Sequence, residues 1–412
     1  MRPWLQANMS TLRKSQKRPK RLIKPGPLMA GYALAQLKPL HRYLPASLLY
    51  QLPLGWNREM LHSFVRHGRD RAYIDVPCTL NLPESYVPRA QVDAPYQMST
   101  AEITDFWTQG FSGPHTLLEP NAMQALADEM WALWDAPSTT YPPGTYRFVG
   151  PSAQPAGQEL SNEEYATRGL NARDKHLQSA TMLGLFQHPA IVERVAQLLG
   201  PELLMWRTQF FPKYPGHGGT GWHQASAYLN ETMRVPTLHP PTLQELFQLT
   251  VWVAVTDSTL DNGCLQLLPG SHREIRPMRL EDYDPKVHGE NKTDRFGAIV
   301  MRPAPPFDDS SAKPFEMKAG QFLIFSERCF HGSRPNITTS DSRLAMNARF
   351  IRPEVGIHNP LVLGPRGLDI TYLRIAGLQL DRWKIIQARG NNPGISNVDR
   401  VIVPTEGMVV NP

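Results

Sequence analysis

The chain has 412 residues, 41% hydrophobic and 19% charged, which is enough apolar surface for a sizeable core and excludes wholesale disorder. Its 39 prolines argue for short elements and many loops rather than a helical bundle. The net charge of +6 is concentrated in one run, Arg13, Lys14, Lys17, Arg18, Lys20, Arg21 and Lys24, with no acid among them. Such a run reads first as a solvated tail and second as a contact for an acidic partner. No zinc-finger or RNA-binding motif accompanies it, so nucleic acid is not expected. Cys78, Cys264 and Cys329 form no CxxC pair, which suits a reducing cytoplasm better than a disulfide scaffold or structural zinc. No apolar run reaches the roughly 18 to 20 residues of a membrane span. Leu28 to Leu37 is too short to cross and reads as an ordered or interfacial helix.

Residues 1–97 read as a basic and helical N-terminal extension broken by Pro39, Pro45 and Pro53. A main domain is expected over 98–390 and a tail over 391–412. The domain opens on a capping box, Ser99 with Glu102 three residues on, ahead of a helix bearing Ile103 and Trp107 on one face. "PNAMQALADEMWALW" and "HPAIVERVAQLLG" predict two more amphipathic helices, the second closed by Gly200. After Gly200 the apolar period becomes two. "TVWVAVTD" places Thr250, Trp252, Ala254 and Thr256 on one face and Val251, Val253 and Val255 on the other. "QFLIFSERCFHG" and "RLAMNARFI" predict further strands, separated by turn signals at Asp261–Gly263, Pro269–His272 and Lys318–Gly320. The stretch from about 274 to 313 reads as a long loop over one mouth, and 366–390 as a closing helix. Helices followed by many short strands predict an α+β chain. Its centre is a double-stranded β-helix, a jelly-roll or cupin-like barrel buttressed by helices, with the helical extension before it.

Of 13 histidines, two stand out by context. His223 opens a strand after a glycine-rich loop, and His331 closes another, so only the fold could bring them together. A 2-His-1-carboxylate iron site places His and Asp two apart on one strand, because alternate side chains share a face, and takes its second His from a later strand. Here the carboxylate position is Ala225. By themselves, two strand histidines are more often structural than ligating. Arg343 and Arg349 fall on one face of their strand with Ala345 and Asn347. Inside a barrel they would require anionic partners, whereas on an edge strand that face could meet water.

"FFPKYPGHGGTGWHQASAYLN", "TVWVAVTDSTLDNGCLQLLPGSHR" and "KAGQFLIFSERCFHGSRPN…RLAMNARF" resemble, in order, the phytanoyl-CoA dioxygenase superfamily. Within it they are most similar to its chlorinating branch, the syringomycin-type halogenases. The likeness runs from about residue 99 to the 380s. It implies that His223 and His331 hold Fe(II), and that Ala225 replaces the carboxylate ligand, leaving a place for chloride. It implies that Arg343, with Thr220 and Trp252, holds the distal carboxylate of 2-oxoglutarate. Thr250 and Arg349 would border the halide, Asn230 the substrate and O₂ side, and Phe211 the same pocket. The His331-to-Arg343 spacing is a residue shorter than in that branch, which leaves strand parity to be tested.

The activity so implied is chlorination of an unactivated aliphatic carbon, with Fe(II), 2-oxoglutarate, O₂ and chloride. The substrate would be an amino acid or acyl group carried as a thioester by an acyl or peptidyl carrier protein. Two other readings stand beside it: a hydroxylase, using the two histidines alone or a carboxylate such as Asp257 or Asp261, and a non-catalytic barrel serving as a binding module.

Overall fold

The computed structural model describes residues 25–44, 78–135, 174–224, 238–276, 278–282, 299–304, 306–357 and 384–395. Short pieces at 58, 61–62, 65, 172, 295–296, 369–370, 373–374, 397–398 and 401–404 complete it. The basic run at 13–24, Ala225 and Asn230 lie outside the described residues.

Two facing sheets form the centre. The major sheet contains β1 (Phe111–Thr116), β2 (Leu203–Lys213), β4 (Gln248–Ala254), β7 (Gln321–Ser326), β9 (Arg343–Ile351), β10 (Ile385–Arg389) and β11 (Val401–Ile402). The minor sheet contains β3 (Thr220–His223), β5 (Leu265–Leu267), β6 (Lys313–Phe315) and β8 (His331–Ser333). The major order is β1-β7-β4-β9-β2-β10-β11 and the minor order is β6-β5-β8-β3. All neighbours are antiparallel except β10 and β11. This is the expected double-stranded β-helix.

The period-two pattern explains both faces of the major sheet. Val251, Val253, Phe322, Ile324, Leu344, Met346, Ala348 and Phe350 point outward into a core shared with the helices. Those helices are α1 (Thr100–Gln109), α2 (Gln124–Asp135), α3 (Ala180–Gln187) and α4 (Pro189–Leu199). Each fully buried valine or phenylalanine in this layer contributes about 1.5–3 kcal/mol through the water it sheds. The other face, with Trp252, Ala254, Leu323, Phe325 and Ala345, packs between the sheets against Leu265 and Leu267. Strand β9 lies centrally and is buried along its whole length, so its arginines do not face water as an edge strand would allow.

The expected caps are present. Ser99 and Glu102 form a reciprocal capping box on α1, and the backbone N–H of Gly200 closes α4 on Ala196. The helix expected around Leu28–Leu37 runs over Pro25–Gln36. Two expectations fail. The stretch 274–313 is not simply a loop, because Met278–Asp282 and Ile299–Pro303 pair as an antiparallel ribbon. The closing helix at 366–390 is replaced at its end by strand β10. Ile385 and Ile386 are both fully buried, and Ile386 pairs with Met205, so edge pairing on β2 outcompetes helix formation.

Candidate active site

The two histidines meet. His331 on β8 lies directly opposite His223 on β3, and their ring centroids are 4.2 Å apart. Gly332 allows this approach, since a Cβ there would come within 2.5 Å of the Thr220 carbonyl oxygen. Each ring is oriented by its own backbone. His223 Nδ1 lies 2.8 Å from the Gly221 carbonyl, and His331 Nδ1 lies 2.9 Å from that of Cys329. A carbonyl only accepts, so both Nδ1 atoms carry the hydrogen and both Nε2 atoms keep a lone pair, the tautomer a metal ligand needs. Burial holds both pKa values below the ordinary histidine range; His331 is depressed further by His223, and the charge of Arg349 adds to both. Neutral rings are the ligating form. Phe325 walls the pair, its ring 5.0 Å from that of His331.

The inner face of the major sheet is arranged in rows across its strands. Arg343 and Lys213 form the first row, and Ala345, Phe211 and Ala254 the next. Then come Asn347, Gln209, Trp252 and Leu323, followed by Arg349, Arg207, Thr250 and Phe325. Arg343 and Arg349 therefore share the inward face despite the shortened spacing. Both are buried, as are Thr250 and Trp252.

The first row is built for an anionic group. The Arg343 guanidinium lies 5.4 Å over the Trp252 ring, a cation–π contact that fixes it. Lys213 was not singled out by sequence, yet it is buried beside Arg343. Its Nζ donates to Ser333 Oγ and to the Arg334 carbonyl, both at 2.7 Å. Ser333 Oγ also accepts from the Thr220 backbone N–H at 3.2 Å. With both lone pairs engaged, its own hydrogen goes to Thr220 Oγ1, 3.0 Å away. The Thr220 hydroxyl hydrogen is then left to donate outward. Gly263, at φ +92°, makes room for this lysine, since a Cβ there would lie 2.6 Å from Lys213 Cδ. Burial, with Arg343 nearby, lowers the Lys213 pKa to about 7. The signal in the sequence was only the strand parity that Lys213 shares with Phe211.

Among the described residues, no group of three His, Cys, Asp or Glu side chains could hold a metal. Asp257 is on the surface, where its carboxylate accepts from Lys318 Nζ at 2.7 Å and from the Ala319 N–H at 2.9 Å. His217 lies in the turn before β3, its Nδ1 accepting from the Tyr214 backbone N–H at 3.4 Å.

A bulge in β2 adds a feature that periodicity could not reveal. Arg349 pairs with Arg207 and Phe350 with Met205, so Trp206 is the extra residue. The Arg207 guanidinium stacks 4.9 Å over the Trp206 ring, and its Nε lies 3.9 Å from Asp174 Oδ2.

Comparisons with known proteins agree with this architecture. A family profile described as phytanoyl-CoA dioxygenase (PhyH) matches residues 106–345. Ectoine dioxygenase of Halomonas elongata is 27% identical over 272 residues, 64% of this chain and 73% of that protein. The phytanoyl-CoA dioxygenase domain-containing protein 1 homolog of Dictyostelium discoideum is 30% identical over 135 residues, 33% of this chain and 41% of that one. Among solved structures, "CytC3 with Fe(II) and alpha-ketoglutarate" superposes with a TM-score of 0.50 at 27% identity, covering 74% of this chain and 93% of that one. No helix among the described residues is long and apolar enough to cross a membrane.

Proposed function

The chain belongs to the phytanoyl-CoA dioxygenase family, and within that family's iron- and 2-oxoglutarate-dependent oxygenase chemistry we propose that it is a halogenase, chlorinating an unactivated aliphatic carbon. The observation that carries the reading is the histidine pair without a third protein ligand among the described residues. His223 and His331 present two Nε2 lone pairs, no described carboxylate joins them, and the position two after His223 is Ala225. Asp257, a candidate third ligand for a hydroxylase, is engaged by Lys318 instead.

The residues fit the cofactors. His223 and His331 would hold Fe(II), with neutral rings oriented by Gly221 and Cys329. Arg343, flanked by Lys213 and by the outward hydroxyl of Thr220, would hold the distal carboxylate of 2-oxoglutarate. Bound iron, with 2-oxoglutarate and O₂, supplies the oxidising power to remove a hydrogen atom from an aliphatic carbon, 2-oxoglutarate leaving as succinate and CO₂. Arg349 contributes positive potential where the histidines converge, because its charge acts on both of them. That potential favours an anion such as chloride beside the metal. If residue 225 stands where the family likeness puts it, an alanine there would neither fill that space nor repel the anion, as a carboxylate would. Thr250, directly opposite Arg349, borders the same place, and Asn230 is assigned to the substrate and O₂ side. The substrate is proposed to be an amino acid or acyl group held as a thioester on a carrier protein in the cytoplasm.

The names of the dioxygenase relatives favour a second reading, hydroxylation at the same iron. Anaerobic protein with Fe(II) and 2-oxoglutarate separates the two. The halogenase is expected to show a charge-transfer band that shifts on adding chloride, with the shift lost in Ala225→Asp. A band indifferent to chloride in the wild type, or still responsive in Ala225→Asp, would contradict the assignment.

A further inference from the structure

The charge of the chain is divided unevenly. Residues 1–58 hold eleven Lys and Arg and no Asp or Glu, a net +11 against −5 for residues 59–412. Within that stretch, residues 25–57 carry only Lys38 and Arg42 as ionised side chains at neutral pH, and both are positive. The helix Pro25–Gln36 has no charged residue at all. Its backbone runs on into the 3-10 turn Lys38–Tyr43, with the Leu37 N–H on the Leu34 carbonyl at 3.2 Å and the Leu40 N–H on the Leu37 carbonyl at 2.9 Å.

The two faces of this helix differ. Ala35 is buried, and Leu28, Gly31, Tyr32 and Leu34 are half-buried, so this side is covered. Gly26, Met29, Ala30, Ala33, Gln36 and Leu37 are exposed and recur every three or four residues, which puts them on one stripe. Met29 is 49% and Leu37 51% exposed, and Leu40, one 3-10 turn further, is 44% exposed. The exposed face of a surface helix is ordinarily polar. Here its one polar side chain is Gln36.

Charge alone answers a nucleic acid or an acidic protein surface, and neither accounts for Met and Leu held in water. A second copy of this chain would set one +11 segment against another. An anionic bilayer uses both features. Apolar side chains enter the boundary between headgroups and acyl chains, while Lys and Arg meet the lipid phosphates. A helix of this length spans about 18 Å, too short to cross a hydrocarbon core of roughly 30 Å, so it would lie along the surface. We propose that the helix Pro25–Gln36, with the bases on either side of it in sequence, is a docking surface for an anionic lipid membrane. Met29, Leu37 and Leu40 insert, and the run from Arg13 to Lys24 together with Lys38 and Arg42 contacts the headgroups. The protein then works at a membrane face, whichever reaction its iron site performs.

The test sediments full-length protein with vesicles of phosphatidylcholine, or of an equimolar mixture with phosphatidylglycerol. Wild type is expected to bind the mixed vesicles ~100-fold or more tightly than the neutral ones, since each base near the surface adds about fivefold. Salt at ~0.5 M, where the Debye length is about 4 Å, should remove most of that preference. Met29→Ser, Leu37→Ser and Leu40→Ser together keep every charge and should lower the affinity for mixed vesicles ~10-fold or more, with the near-ultraviolet circular dichroism unchanged. Lys17→Gln, Arg18→Gln, Lys20→Gln and Arg21→Gln together leave the stripe intact and should lose most of the preference for the anionic lipid. A wild type that binds neither vesicle, or both equally, overturns the proposal, as does a four-base variant that keeps the preference. So does a natively folded serine variant that binds as wild type does, which would give the segment to an acidic protein or a nucleic acid.

Discussion

The two ends of the barrel are finished differently. Beside Arg343, Lys213, Ser333 and Thr220 form a hydrogen-bonded chain whose proton order is settled by the backbone. Around Glu327 no such chain forms among the described residues. Gln248 Nε2 is buried without a hydrogen-bond partner among the described residues, and the buried Glu327 carboxyl is met by no side chain's hydrogen bond, only its own backbone and the charge of Arg328 opposing its burial. A small, invariant co-substrate can be met by a rigid prebuilt cradle. A buried group that finds few partners within the fold instead costs stability, by an amount that depends on its protonation.

Four measurements test this difference. The largest effect is expected at the unfinished end and in stability. The folded Glu327 carboxyl titrates near 8, above its value in the unfolded chain. The native state therefore binds the extra proton, and stability present below about pH 4.5 is lost as pH rises toward 8. Glu327→Gln does not titrate, so the gap between variant and wild type should widen over that window, by at most on the order of 4 kcal/mol. Parallel urea curves at pH 5 and pH 8 measure it, and a gap independent of pH would mean the carboxyl is solvated or paired.

At the finished end, Arg343→Ala should raise the 2-oxoglutarate KM ~100-fold, the scale of a lost charged hydrogen bond pair. An unchanged KM would move the carboxylate contact elsewhere. The smallest effect is at Lys213. Lys213→Met should raise the same KM ~10-fold with kcat within about twofold, since it removes one nearby charge and the polarity of the Thr220 hydroxyl. Because Lys213 is charged only below about pH 7, wild-type kcat/KM for 2-oxoglutarate should fall as pH rises through that value. The Met variant should lack this step; a step retained in the variant would assign it to another group.

Much of this was legible before the structure. Strict alternation in "TVWVAVTD" and "RLAMNARFI" placed Trp252, Thr250, Arg343 and Arg349 on one face, because parity in a strand is a local property. The capping box was equally local. That His223 and His331 would face each other followed from the family likeness, not from spacing. What stayed hidden depends on partners distant in sequence. Lys213 was one more polar residue until Ser333 and Arg334, some 120 positions on, came beneath it. The bulge at Trp206 reflects a mismatch between two strands, which neither strand shows alone. Glu327 sits in "FSERCF", where a charged pair at a turn reads as surface, and only its burial against the barrel contradicts that. Ile385–Arg389 carried no periodicity long enough to outvote a helix; its strand state comes from pairing with β2.

Chlorination at a two-histidine iron site is the reaction proposed for this protein. Its most direct test is mass spectrometry of carrier-bound aminoacyl and acyl panels incubated with the protein, Fe(II), 2-oxoglutarate, O₂ and chloride. The expected product carries the chlorine isotope doublet and is absent when chloride is omitted. A hydroxylated product alone, at every chloride concentration, would contradict it.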